Sequence, residues 1–95
     1  MQTVEISVAN MAFEQGLVTD VAIVRRSQKE WYFEFTVINM SNETTQRYAI
    51  KTQRGELRTW ADPRTLFNFL HDEYGVSSGR FVLNGTPNDE HSSTL

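Results

Sequence analysis

A chain of 95 residues, 39% of them hydrophobic, with a formal net charge of −3, has the make-up of one small globular domain with a single modest core. It contains no cysteine, which excludes a disulfide framework, thiolate catalysis and thiolate metal sites. The start of the chain lacks the basic and apolar pattern of a signal peptide, and no apolar run is long enough to span a bilayer. A cytoplasmic protein without membrane contact is therefore expected.

In chain order, the first segment is ambiguous. Val4, Ile6 and Val8 alternate as in a strand, while Val4, Val8, Met11 and Ala12 share a helical face and Gly16 suits a helix C′ position. The expectation is a short helix ending near Gln15. Two strands follow. Leu17, Thr19, Val21 and Ile23 alternate with Val18, Asp20, Ala22 and Val24. Trp31, Phe33, Phe35 and Val37 alternate with Tyr32, Glu34, Thr36 and Ile38. Ser27 to Lys29 is the hairpin loop between them, and the polar run from Asn39 to Thr44 is the next turn. Gln46 to Thr52 and Glu56 to Trp60 read as a third and fourth strand joined at Arg54 and Gly55.

The best-marked element is a helix. Asp62 is an N-cap, Pro63 occupies the first helical position, Leu66, Phe67, Leu70 and Tyr74 form an apolar stripe, and Gly75 closes it. A short strand from Arg80 to Leu83 ends the domain. The polar and acidic run from Asn84 to Leu95 is expected to be a disordered tail. The fold class predicted is α+β, an antiparallel meander sheet of four to five strands with helices on one face, in the order α-β-β-β-β-α-β.

The run Lys51-Thr-Gln-Arg-Gly-Glu-Leu-Arg-Thr-Trp60, then the capped helix with Leu66, Phe67 and Leu70, then Gly75-Val and Arg80-Phe-Val, resembles a family of small bacterial plasmid partition-associated (ParC-like) proteins. That family carries a T-x-R-G-E-x-R-x-aromatic hairpin, a helix and a G-[IV]-x-x-x-R-F-x-V ending. The resemblance covers roughly residues 16 to 83. The chain departs from the pattern in its acidic tail, in Pro63, and in one extra residue between Gly75 and Arg80. The resemblance implies a cytoplasmic accessory protein of a bacterial mobile genetic element, and it carries over no catalytic residues.

The residues themselves offer little chemistry. His91 lies in the polar tail. His71 neighbours Asp72 and Glu73 on the helix, but consecutive helical residues point to different faces and form no relay. Metal-binding histidine pairs, phosphate loops and nucleophile elbows are absent from the sequence. Glu34, Glu56 and Asp62 carry no spacing that marks them as a catalytic pair. The expectation is therefore a binding protein, with no catalytic, cofactor-binding or metal-binding residues and no cofactor. Trp31, Phe33 and Phe35 read as core rather than as a nucleic-acid stacking platform, because the amphipathic helix needs an apolar face to pack on.

Charge points to one surface. Every lysine and arginine except Arg80 lies between Arg25 and Arg64, flanked by segments that are otherwise acidic. With a two-residue loop at Arg54 and Gly55, Lys51 would lie opposite Arg58 and Ala49 opposite Trp60. That arrangement opposes like charges at a cost of roughly several tenths of a kcal/mol. Lys51, Arg54, Arg58 and Trp60 are thus the candidate partner-binding residues. Two alternatives stay open: Glu34 or Glu56 neutralises these cations, or a bulge at Gly55 shifts the register. The apolar outer face, with Val18, Ala22, Tyr32 and Ile38, is the candidate for self-association as a homodimer. The function expected is a protein–protein adaptor of a mobile element. The alternatives are an inhibitor of a host defence protein or a weak nucleic-acid binder.

Overall fold

The computed structural model describes residues 2–83, so the expected tail from Asn84 onward lies outside the described residues. Five strands and two helices follow in the order β1 (Gln2–Val4), α1 (Ile6–Glu14), β2 (Val18–Ser27), β3 (Glu30–Asn39), β4 (Thr44–Ile50), α2 (Pro63–Tyr74) and β5 (Arg80–Val82). The class is α+β. The sheet order is β1-β4-β3-β2-β5: β2, β3 and β4 form an antiparallel meander, while both edge strands run parallel to their neighbours. The expected antiparallel sheet is thus corrected to a mixed one. A meander is what alternating hairpin sequences build, whereas the parallel edges depend on long crossovers that local patterning does not encode.

Both helices cover one face of the sheet. Val21, Ile23, Phe33, Phe35, Ile50 and Trp60 from the sheet side meet Ala9, Ala12, Leu66 and Leu70 from the helices in a single buried cluster. α2 starts where Asp62 Oδ1 accepts from the Arg64 amide at 2.8 Å. It stops at Gly75, whose φ of +67° is the left-handed conformation a glycine enters without Cβ strain. There the Val76 amide donates back to the Leu70 carbonyl at 3.1 Å.

α1 differs from its expected face. Ala9 and Ala12 are buried, and Val8 and Met11 are exposed. Small residues at the contact let the helix backbone sit close to the sheet, and Phe13 supplies the bulk by stacking on Tyr74 at 4.0 Å between ring centroids. Tyr74 also donates its hydroxyl proton to Asn10 Oδ1 at 2.6 Å, tying the two helices together. Burial pushes the phenol pKa up to about 12. β1, read as part of a helix from sequence, is a three-residue strand seated against β4.

The predicted fourth strand does not form. After Ile50 the Lys51 amide still donates to the Val4 carbonyl, the chain then turns through a hairpin closed by an isolated bridge between Lys51 and Leu57, and it returns to the sheet at Trp60. Trp60 and Trp31 exchange both backbone hydrogen bonds, at 2.6 and 2.8 Å. That exchange anchors the chain beside β3 three residues before α2 begins.

Candidate functional site: a cationic end of the sheet

The loop containing Arg54 has three residues, not two. The Thr52 amide donates to the Glu56 carbonyl, the Arg58 amide to the Ile50 carbonyl, and Gly55 takes a φ of +84°. This is the bulged hairpin that a left-handed glycine permits. It shifts the register by one residue, so Lys51 lies opposite Leu57 and Arg58 turns to the side of Ile50, facing the helices. The expected strip of Lys51, Arg58 and Trp60 on one face is therefore corrected: Lys51 and Arg58 point to opposite faces.

Trp60 is a core residue, 8% exposed. The Arg58 guanidinium lies over it, 4.6 Å from the ring centroid and 5.0 Å from that of Phe69. A second pair repeats this arrangement on the neighbouring strands, with the Arg25 guanidinium 5.7 Å from the Trp31 ring. Arg25 and Trp31 are direct partners across β2 and β3. The two arginines thus flank a row of backbone running Arg25, Trp31, Trp60. Each guanidinium gains a cation–π contact, an interaction worth roughly 0.5–1 kcal/mol even where fully exposed.

The strand register gathers the cations. β2 ends, β3 begins, β4 ends and α2 begins at the same end of the sheet, so Arg25, Lys29, Lys51, Arg54, Arg58 and Arg64 all stand there. Glu5, Glu30, Glu56 and Asp62 are the acids nearby. The opposite end carries Glu14, Glu43, Asp72 and Glu73. What the sequence showed as segregated charge is in three dimensions a charge polarity along the strands.

Ion pairing sharpens the contrast. Arg26 pairs with Glu30 at 3.0 Å, Arg47 with Glu34 at 3.7 Å and Arg80 with Asp20 at 2.6 Å. Among the described residues, the cations without a carboxylate within 4.0 Å are Arg25, Lys29, Lys51, Arg54, Arg58 and Arg64, all at the one end. Among the described residues, two buried donors there, Nε of Arg25 and Nε1 of Trp31, also find no acceptor. A buried donor left unbonded costs about 1–3 kcal/mol.

The outer face of the sheet is less apolar than expected. A bulge between Val18 and Asp20 turns Val18 inward, where it packs against the core. Ala22, flanked by Glu34 and Arg80, is 2% exposed, so its neighbours already cover it. Tyr32 and Ile38 are half-buried. The Arg47–Glu34 and Arg80–Asp20 pairs cross this face. The Arg80 guanidinium, hydrogen-bonded to Asp20, holds that carboxyl below its ordinary pKa.

The His71 side chain is exposed, with its Nδ1 3.3 Å from Oδ1 of its neighbour Asp72. Among the described residues, no group of three or more His, Asp or Glu side chains is placed to share a metal ion, and no helix is long and apolar enough to cross a membrane. Sequence reasoning missed Arg25 as a site residue. Its signal was its place directly across the first hairpin from a tryptophan. The chain matches no protein-family model, no curated protein and no solved structure.

Proposed function

We propose that this protein is a non-enzymatic adaptor that docks an acidic surface of a protein partner with the cationic end of its sheet. One observation carries the reading: the arginines on the sheet's outer face are neutralised within the fold, while Arg25, Arg54, Arg58 and Arg64 at the end have no carboxylate partner among the described residues. Unpaired guanidinium groups backed by aromatic rings are already partly ordered. Less side-chain entropy is then lost when they meet a carboxylate than for a free lysine.

A protein partner is favoured over nucleic acid because the chain is acidic overall, at −3, and its far end would repel a phosphate backbone lying along it. The resemblance of residues 16 to 83 to partition-associated proteins supplies the setting we propose, an accessory of a bacterial mobile genetic element acting in the cytoplasm. The test is affinity capture from a bacterial lysate, comparing the native chain with a Lys51→Glu/Arg54→Glu variant. A captured protein that is lost on charge reversal supports the reading.

A further inference from the structure

β5 delivers the chain to the cationic end of the sheet. It runs parallel to β2, with Arg80 beside Ala22 and Val82 beside Val24, so both strands point toward the end where Arg25, Trp31 and Trp60 stand in a row. The described residues finish there, at Leu83. The sequence that follows, Asn84 to Leu95, contains Asp89 and Glu90 and no lysine or arginine. An acidic segment thus leaves the fold beside its most positive surface.

The reach fits. From β5 across β2 and β3 to the chain at Trp60 is about 14 Å, at about 4.8 Å for each neighbouring strand. Asp89 follows Leu83 by a stretch of chain that extends to about 20 Å at most. The surface is also prepared for carboxylates. Arg25 and Arg58 are half-buried on one face of the sheet, each held over an indole, 5.7 and 4.6 Å from the ring centroids. Neither has a carboxylate partner among the described residues.

We propose that in the free chain Asp89 and Glu90 dock on Arg25 and Arg58, so that the cationic end is occupied by the chain's own acidic segment and an acidic partner must displace it. A tether whose length matches the span gives the two acids an effective concentration of about millimolar order. Contacts too weak to hold a separate molecule are then populated, yet they yield to a tighter one. The segment sets a threshold, which only a partner that meets the arginines better than two tethered carboxylates crosses. Displacement by a partner rests on the proposed function, whereas docking of the segment rests on the chain alone.

The chain has no cysteine, so Ser93→Cys gives the full-length protein a single attachment point for a nitroxide spin label. Broadening by the label is read in nitrogen-15 spectra at the Nε1–H signals of Trp31 and Trp60 and the Nε–H signals of Arg25 and Arg58. At low salt these four signals should lose intensity. At about 1 M salt, where the screening length falls to about 3 Å, they should recover. They should recover equally at low salt when Asp89→Asn and Glu90→Gln are added to the labelled chain. Dependence on salt and on the two acids decides the matter, because the tether alone keeps the label near β5. The substituted positions all lie beyond residues 2–83, and a melting curve checks that each variant keeps the fold.

Three results would overturn the proposal: broadening that ignores both salt and the neutralised acids, broadening centred on Glu14 and Glu73 at the opposite end, or no broadening of the four signals. The measurement needs no partner, so it separates failure of the docked segment from failure of the proposed function, which capture from a lysate reads.

Discussion

Arg58 lies over the indole of Trp60, its guanidinium carbon 4.6 Å from the ring centroid, and closes the core at the sheet's cationic end. The tryptophan beneath is 8% exposed and touches Phe33 and Phe69. Trp60→Ala should therefore cost about 3–5 kcal/mol of folding stability, as core aromatic truncations do. Arg58→Ala should cost less, about 0.5–2 kcal/mol, through the lost stacking contact. Urea denaturation of both variants measures the order. A Trp60→Ala loss within about 0.5 kcal/mol would mean the indole is a surface residue.

Ala9 is fully buried where α1 crosses the sheet. The helix sits close only because that side chain is small. Ala9→Leu should destabilise by about 1–3 kcal/mol through overpacking, whereas Met11→Leu, at an exposed position on the same helix, should be nearly neutral. A melting-temperature comparison reads the difference.

Gly79 is needed for space rather than for a positive φ. The Cβ of Gly79→Ala would collide with the backbone oxygen of Val21 at 2.8 Å, and a carbonyl in a sheet cannot rotate away cheaply. The variant should lose about 1–3 kcal/mol, and amide exchange should rise first in β5, the element it displaces.

Asp20 gives the fold an acid dependence with a definite sign. Its hydrogen bonds from Arg80 lower its folded pKa below the ordinary value of 3.8, so the pair contributes stability above that pH. The contribution falls away as pH drops through 3.8 toward the lowered folded value, because the unfolded chain takes up the proton first. Both partners are substantially exposed, so solvent screens the pair and its contribution is small. In acid titrations followed by circular dichroism, Asp20→Asn should be less stable than the native chain near neutrality and should converge on it in acid. A gap that widens in acid would contradict the assignment.

The central hairpin and α2 were legible because each signal is local. Alternation over Trp31 to Ile38 and the Asp62–Pro63 start need no knowledge of distant residues. The rest depended on single-residue shifts or on contacts far apart in the chain. Gly55 accommodates a three-residue loop as readily as a two-residue one, and that one-residue difference moved Arg58 to the other face. The bulge at Val18 did the same for the expected dimer face. β1 is three residues long and pairs with β4 more than forty positions away, so its alternation merged with the helix that follows. Of the candidate site, Lys51, Arg54 and Arg58 were found through charge. Trp60 was found too, but as an exposed anchor, because its burial depends on Phe33 and on Phe69 of α2. Arg25 was missed although Trp31 faces it across the first hairpin, because its lack of a carboxylate partner among the described residues emerges only in three dimensions.

The central claim is that the unpaired cations at one end of the sheet bind an acidic protein. It is tested most directly by quantitative capture from a bacterial lysate with the native chain and with Lys51→Glu/Arg54→Glu, at low and high salt. Both substituted side chains lack a carboxylate partner among the described residues, so stability should change by no more than about 0.5 kcal/mol. The account predicts a discrete acidic protein that the native chain retains at low salt, releases at high salt, and loses on charge reversal. Equal capture by an equally stable variant, or capture of nucleic acid alone, would contradict it.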